Sequence, residues 1–342
     1  MRTRILATLL FLPLFATAQT QYGNPVIDQS LPDPTVIKAA DGYFYLYATE
    51  NIRNVPIYRS ENLVDWHRVG TAFNNRTRPQ MVPDGRIWAP DINDINGKYV
   101  MYYSKSTWGG EWECGIGVAT ADRPEGPFTD VGKLFISNEI GVQNSIDPFY
   151  IEEDDGSKYL FWGSFRGIYA IQLSDDGLSL KSGSEKVQIA GTLTEGTYIF
   201  KKDGYYYLFG SAGTCCEGLN STYRVVVARS ESLLGPYVDK SGMPAMDNHF
   251  MLVLQKSSKV IGPGHNAEII IDDAGQYWML YHGFDAADPD GGRKVYLDQL
   301  QWDNDGWPFI RNTIPSVTAD APVFNSAKTD HNPSPQQATG GV

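Results

Sequence analysis

Basic residues are in short supply. Lys and Arg number 28 against 40 Asp and Glu, so the 342-residue chain carries a net charge of −12 and a pI of about 4.9. Phosphate recognition needs clustered Lys and Arg, and no cluster appears, which excludes nucleic acid as the expected partner. An acidic surface also disfavours polyanions and anionic lipid, leaving a neutral substrate as the expectation. Cysteine is scarce: Cys114, Cys215 and Cys216 are all there is. Three is odd, and CxxC-type spacing is missing, so neither a disulfide scaffold nor a cysteine metal site is expected. The adjacent pair is expected as two buried thiols, with a vicinal disulfide as the alternative. Long Ala/Leu/Glu/Lys runs are also few, which disfavours a helical fold.

Apolar runs long enough to cross a bilayer are missing too. The one marked run, Ile5 to Phe15 in "MRTRILATLLFLPLFATAQT", is short, follows two arginines and precedes Ala16-Thr17-Ala18. This is the pattern of a signal peptide over residues 1–18, with a mature chain beginning near Gln19 and a secreted or periplasmic destination. No cysteine follows the cleavage site, so a lipid anchor is not expected. The polar, Pro/Gly-rich segment 326–342 reads as a disordered tail.

Glycine (34) and tyrosine (20) are plentiful, as strands and turns require. One unit recurs: "DPTVIKAADGYFYLYAT" from Asp33, "DINDINGKYVMYYS" from Asp91, "DPFYIEEDDGSKYLFWGS" from Asp147, "EGTYIFKKDGYYYLFGS" from Glu195 and "HNAEIIIDDAGQYWMLYHG" from His265. Each has a polar leader, a short apolar strand, a Gly-containing turn and an aromatic strand. Asn-Gly and Asp-Gly suit tight hairpins because both tolerate positive φ. Segments such as "PIYRSENLVDWHRVG" and "RVVVARSESLLGPYVD" supply outer strands. A propeller blade takes roughly 40 to 50 residues before loop insertions. The chain is therefore expected to be all-β, a five-bladed β-propeller in one domain over residues 19–325. A β-sandwich is the competing architecture.

In a propeller the innermost strands line a central channel, so the leaders Asp33, Asp91, Asp147, Glu195 and His265 are expected to ring one mouth. Carboxylates held together push some pKa values upward, so that one ionises while another keeps its proton. That is the equipment of glycosidic hydrolysis, and a wide separation across a channel predicts inversion. Asp91, one residue after a proline in "WAPD", is the leader best suited to a structural role. His265 is a candidate ligand for an ion on the channel axis, with water completing the shell. Aromatic faces stack on sugar rings, which makes Trp88, Trp108, Trp112 and Phe149 candidate substrate contacts. Asn144 and Ser164 are candidate hydrogen-bond partners of sugar hydroxyls.

The set "LPDPTVI", "NSIDPFY", "TEGTYIF", "WAPD" and "GPGHN" resembles glycoside hydrolase family 43, over nearly the whole stretch from Asn24 to Pro308. The resemblance implies Asp33 as general base, Asp147 as the residue that tunes pKa and orients, and Glu195 as general acid. It implies a hydrated calcium at His265. Three segments look like the arabinanases, which cut α-1,5-linked L-arabinan: "FWGSFRGIYAIQLS", "GSAGTCCEGLNSTYRVVVARS" and "GRKVYLDQLQWDNDGWP". With the signal peptide and the spacing of the carboxylates, the expectation is a secreted, inverting, endo-acting arabinan hydrolase. The alternatives are an exo-acting α-L-arabinofuranosidase or β-xylosidase, or a non-catalytic sugar-binding propeller. One position departs from the pattern: Pro32 stands where arabinanases often have histidine before the base.

Overall fold

A computed structural model describes residues 20–325. The expected signal peptide and tail lie outside those residues. Among the described residues the strands form five antiparallel sheets of four or five strands, each built from consecutive segments, and one further two-stranded sheet. Blade 1 comprises Thr35–Lys38, Phe44–Tyr47, Pro56–Ser60 and His67–Thr71. Blade 2 comprises Arg86–Ile95, Lys98–Ser106, Gly115–Ala121 and Thr129–Ile136. Blade 3 runs through Phe149–Glu152, Lys158–Trp162, Ile168–Gln172 and Val187–Ala190. Blade 4 runs through Thr194–Lys202, Tyr205–Ala212, Arg224–Ser230 and Met251–Leu254. Blade 5 uses Val260–Gly264 and Ile270–Ile271 as a broken inner strand, then Tyr277–Asp285, Arg293–Trp302 and Pro308–Ile310. The expected five-bladed propeller is present.

The turns divide by length. Asn96-Gly97 and Asp203-Gly204 are two-residue hairpin turns with positive φ at both positions, the arrangement that matches strand twist. The other three hairpins use longer loops, in which Asp41, Asp155 and Asp272 accept backbone N–H groups two residues on. The two ends of the described residues meet on blade 5. Gln21–Gly23 pairs with Thr318–Asp320, and Asn24 exchanges hydrogen bonds with the backbone of Leu297 through its side chain.

Each innermost strand is a sheet edge, and its channel-side N–H groups need acceptors. Neighbouring blades supply them. The Asp33 N–H donates to His282 Nδ1 (3.0 Å), Ala89 N–H to Thr49 Oγ1 (2.7 Å), Asp147 N–H to Ser104 Oγ (2.9 Å) and His265 N–H to Ser211 Oγ (2.7 Å). Thr49, Ser104, Ser211 and His282 occupy equivalent places at the end of the second strand of their blades. Blade 3 has Gly163 there, because a Cβ would stand 2.1 Å from the Gly167 carbonyl oxygen. The Asp147 carboxylate takes over, accepting the Gly196 N–H at 3.1 Å.

A second tier lies deeper. Ile92 N–H donates to Thr35 Oγ1, Tyr150 N–H to Asp91 Oδ2, Ile269 N–H to Tyr198 Oη and Val36 N–H to Glu268 Oε2. This places Asp91 away from the mouth. A register shift between Trp88 and Asp91 puts Ala89, not Asp91, in line with Asp33, Asp147 and His265. Asp91 holds blade 3 to blade 2 instead, the structural role its sequence context suggested.

Asp91 and Glu268 are buried acids that face one another. Burial, with the Glu268 charge, pushes Asp91 well above the carboxylate range, and burial pushes Glu268 up to about 7. A raised folded-state pKa means that the folded chain binds more protons than the unfolded chain in that window, so stability falls as pH rises through it. The window for Glu268 runs from its ordinary 4.5 to about 7. Glu268→Gln is expected to remove this contribution: the wild-type melting temperature declines more steeply than the variant's across the window. Parallel melting curves for the two proteins would contradict a neutral Glu268.

Candidate active site

Five residues at the start of the inner strands share left-handed backbone: Asp33 (φ 55°), Ala89 (38°), Asp147 (59°), Gly196 (60°) and His265 (48°). Non-glycine residues rarely adopt this conformation, and holding it requires over-determination by the surroundings. The hydrogen bonds between blades provide that at every position. Glu195 precedes the ring by one residue, across a register shift between Glu195 and Tyr198. The aligned leaders are thus offset by one in blade 4 and by two in blade 2.

Asp33, Asp147, Glu195, His265, Trp88 and Trp108 line one cavity of about 220 Å³. Two larger hollows, of about 460 and 470 Å³, lie on the outer edge of blade 5 and under blades 3 and 4, and contain none of these residues. Thr49, Asn51, Arg86, Ile146, Arg293 and the Cys215–Cys216 pair line the rest of it.

The three carboxyls have different surroundings. Asp33 Oδ2 accepts the Thr49 hydroxyl at 2.6 Å, and Oδ1 accepts Arg293 Nη1 at 3.2 Å. Burial alone would raise its pKa, but the Arg293 guanidinium, followed by the His265 imidazole, outweighs burial and holds Asp33 well below the usual range. His282 takes part as a neutral acceptor. Burial and the Arg293 charge lower its pKa to about 4, and its Nδ1 receives the Asp33 N–H, which assigns the ring hydrogen to Nε2. The Nδ1–Oδ1 approach of 3.3 Å is therefore a contact without a proton between the atoms.

Asp147 and Glu195 are shifted the other way. Burial, then repulsion from Glu195 and Asp33, raises Asp147 well above its ordinary value. Burial likewise raises Glu195, against the hydrogen bonds of Ser164 and Tyr223. One bare carboxylate thus faces a pair that retains a proton, the division of labour that acid–base hydrolysis needs.

Other expected contacts lie elsewhere. Ser164, 1% exposed, donates to Glu195 Oε2 at 2.6 Å, and Asn144 Nδ2 donates to Ser164 Oγ at 2.9 Å. Both buttress the acid instead of lining the cavity. Phe149 is buried against Phe161 and Tyr198 because its inner-strand position points between blades 3 and 4. Trp108 is 83% exposed and meets Trp88 edge-on, with ring centroids 6.4 Å apart. Trp112 is half exposed in the same loop but lies outside the cavity lining.

Cys215 and Cys216 are joined as a vicinal disulfide, not held as buried thiols. They sit in the loop between the second and third strands of blade 4, which Thr214 and Thr222 close by mutual hydrogen bonds. Such a loop lies at the surface, so the pair forms a wall of the cavity and not part of the core.

Sequence reasoning missed Arg293, Thr49, His282 and Tyr223. The signal for Thr49 and His282 was present: the aromatic strand of four repeat units reaches Thr49, Ser104, Ser211 or His282 just as it ends. Arg293 and Tyr223 fall inside two of the arabinanase-like segments, but no repeat position marks them, and their partners lie 260 and 28 residues away.

The model of the family "Glycosyl hydrolases family 43" matches residues 22–308. An extracellular endo-α-(1→5)-L-arabinanase of Bacillus subtilis is 32% identical over 82% of this chain and 88% of its own length. An extracellular exo-α-(1→5)-L-arabinofuranosidase of Cellvibrio japonicus is 31% identical over 81% of this chain and 85% of its own. Among solved structures, the Cellvibrio cellulosa α-L-arabinanase in complex with arabinohexaose superposes with a TM-score of 0.75 at 30% identity, over 82% of this chain and 96% of that one. With the carboxyls arranged as described, these matches make the chain a glycoside hydrolase that belongs to glycosyl hydrolase family 43.

Proposed function

We propose that the enzyme is a secreted, endo-acting hydrolase of α-1,5-linked L-arabinan that inverts the anomeric carbon. The observation that carries the mechanism is the opposed ionisation of three carboxyls in one cavity: Asp33 is bare, while Asp147 and Glu195 are pushed up. Asp33 deprotonates the water that attacks the anomeric carbon. Glu195 protonates the departing glycosidic oxygen. Asp147 repels a second negative charge beside Glu195 and anchors Gly196, so it sets both the proton and the place of the acid. The exposed Trp88–Trp108 edge offers an apolar face to a sugar ring beyond the cleavage point. The arabinan substrate rests on the endo- and exo-acting relatives, whose names also include the word extracellular. The exo reading has its support in the Cellvibrio japonicus relative.

Calcium belongs to this reading as a hydrated ion at His265. Burial lowers the His265 pKa, so the imidazole is neutral and able to ligate. Its Nδ1 lies 3.3 Å from Asp33 Oδ1, which leaves Nε2 as the ligand atom in the carboxylate–histidine arrangement of metal sites. Among the described residues no group of three or more His, Cys, Asp or Glu could hold a metal, so water must supply the remaining ligands. Asn266 Oδ1 and Thr197 Oγ1, each one residue along the chain from a ring member, are buried with no protein partner, which suits ordered water there. The ion would offset the negative charge of the ring.

On linear debranched arabinan the wild-type enzyme is expected to release a ladder of short oligomers, and Asp33→Ala and Glu195→Ala to lose at least about a hundredfold in rate. Arabinose as the sole product would select the exo reading. Near-normal turnover by either variant would remove the mechanism. EDTA treatment is expected to lower activity and calcium to restore it; full activity in metal-free protein would remove the ion from the account.

A further inference from the structure

Tyr223 follows the disulfide loop directly. Its side chain is 1% exposed, and its hydroxyl lies 2.8 Å from Glu195 Oε1. The ring lies flat on His282, with centroids 5.6 Å apart and 10° between planes. Gly264 permits this: a Cβ there would stand 2.2 Å from Tyr223 Cδ1. One stacked pair is therefore bonded to the backbone of Asp33 through His282 and to the carboxyl of Glu195 through Tyr223. The other oxygen of Glu195, Oε2, meets the Ser164 hydroxyl at 2.6 Å.

We propose that Tyr223 is the positioning residue of the acid: its hydroxyl donates to Glu195 Oε1 in both protonation states and, with Ser164 on Oε2, fixes the plane in which the carboxyl presents its proton. The proposal rests on the assignment of Glu195 as the acid. Burial keeps the phenol protonated far above its ordinary range, so it donates throughout the working pH of the enzyme. Stacking on a fully buried imidazole fixes the direction of that donation. As the bond between the anomeric carbon and the leaving oxygen breaks, its electron pair stays with that oxygen, which takes the proton from the Glu195 carboxyl. The attacking water bonds to the anomeric carbon and gives its own proton to Asp33.

Tyr223→Phe deletes the hydroxyl and keeps the ring on His282. Two substrates are compared: linear arabino-oligosaccharides, whose alkoxide leaves only when protonated, and an aryl arabinofuranoside with an activated phenol. The expected result is a kcat about tenfold lower on the oligosaccharide with KM little changed, and a loss under about twofold on the aryl substrate. The alkaline limb of kcat/KM is expected to move upward, because the lost hydrogen bond favoured the ionised form. Gly264→Ala, which displaces the ring with its hydroxyl intact, is expected to show the same dependence on leaving group. Equal losses on both substrates with an unmoved limb would reduce Tyr223 to a packing role and overturn the proposal. Glu195→Gln, assayed alongside, separates the two assignments: if it too loses equally on both substrates, it is the acid assignment that fails.

Discussion

The innermost strand of every blade has backbone N–H groups with no strand beside them, and each must be paired by something reaching across from the next blade. That requirement organises the whole channel. Four of the five mouth positions are paired by a second-strand side chain, and the fifth by the Asp147 carboxylate. The bonds run from each blade to its neighbour and from blade 5 back to blade 1, so they close the ring. Structure and chemistry use the same atoms here. His282 closes the ring at Asp33, and Asp147 closes it at the residue following the acid.

Ionisation follows from that arrangement. All three carboxyls are buried, so burial alone would push all three up. Only Asp33 has a guanidinium at 3.2 Å and the His265 imidazole at 3.3 Å, and only Asp33 stays bare. Asp147 has a single backbone N–H, and Glu195 only two hydroxyls. Neutral donors do not offset burial plus repulsion, so a proton stays with this pair. The deeper tier repeats the theme without a cationic partner, and Asp91 and Glu268 are both pushed up.

Much of this could be read from the chain before folding. The five repeat units, the Gly turns and the acids Asp33, Asp147 and Glu195 were legible because each is local: a few residues of pattern at a recurring distance. The ring itself was legible only to within a residue or two. Register shifts at Trp88–Asp91 and Glu195–Tyr198 are invisible in the pattern, so Asp91 was aligned where Ala89 stands. Phe149 was placed at the substrate because an aromatic beside an acid is ambiguous between core and cavity; the strand's facing decides, and it faces Tyr198. Asn144 and Ser164 have the right chemistry for sugar, but they spend it on Glu195. Arg293 lies 260 residues from Asp33, and no local pattern carries such a contact. The disulfide was hidden by the scarcity of cysteine, which favoured thiols. Pro32 is buried, and its carbonyl pairs with the Thr49 N–H, so this departure sits within the backbone that holds the base.

The most direct measurement is the hydrogen positions at the three carboxyls and His282, seen by neutron diffraction from a crystal at neutral pH. The account requires a bare Asp33, a hydrogen on Nε2 of His282 with none on Nδ1, and one hydrogen held by the Asp147–Glu195 pair. A hydrogen on Asp33, or a pair stripped of its proton, would contradict it.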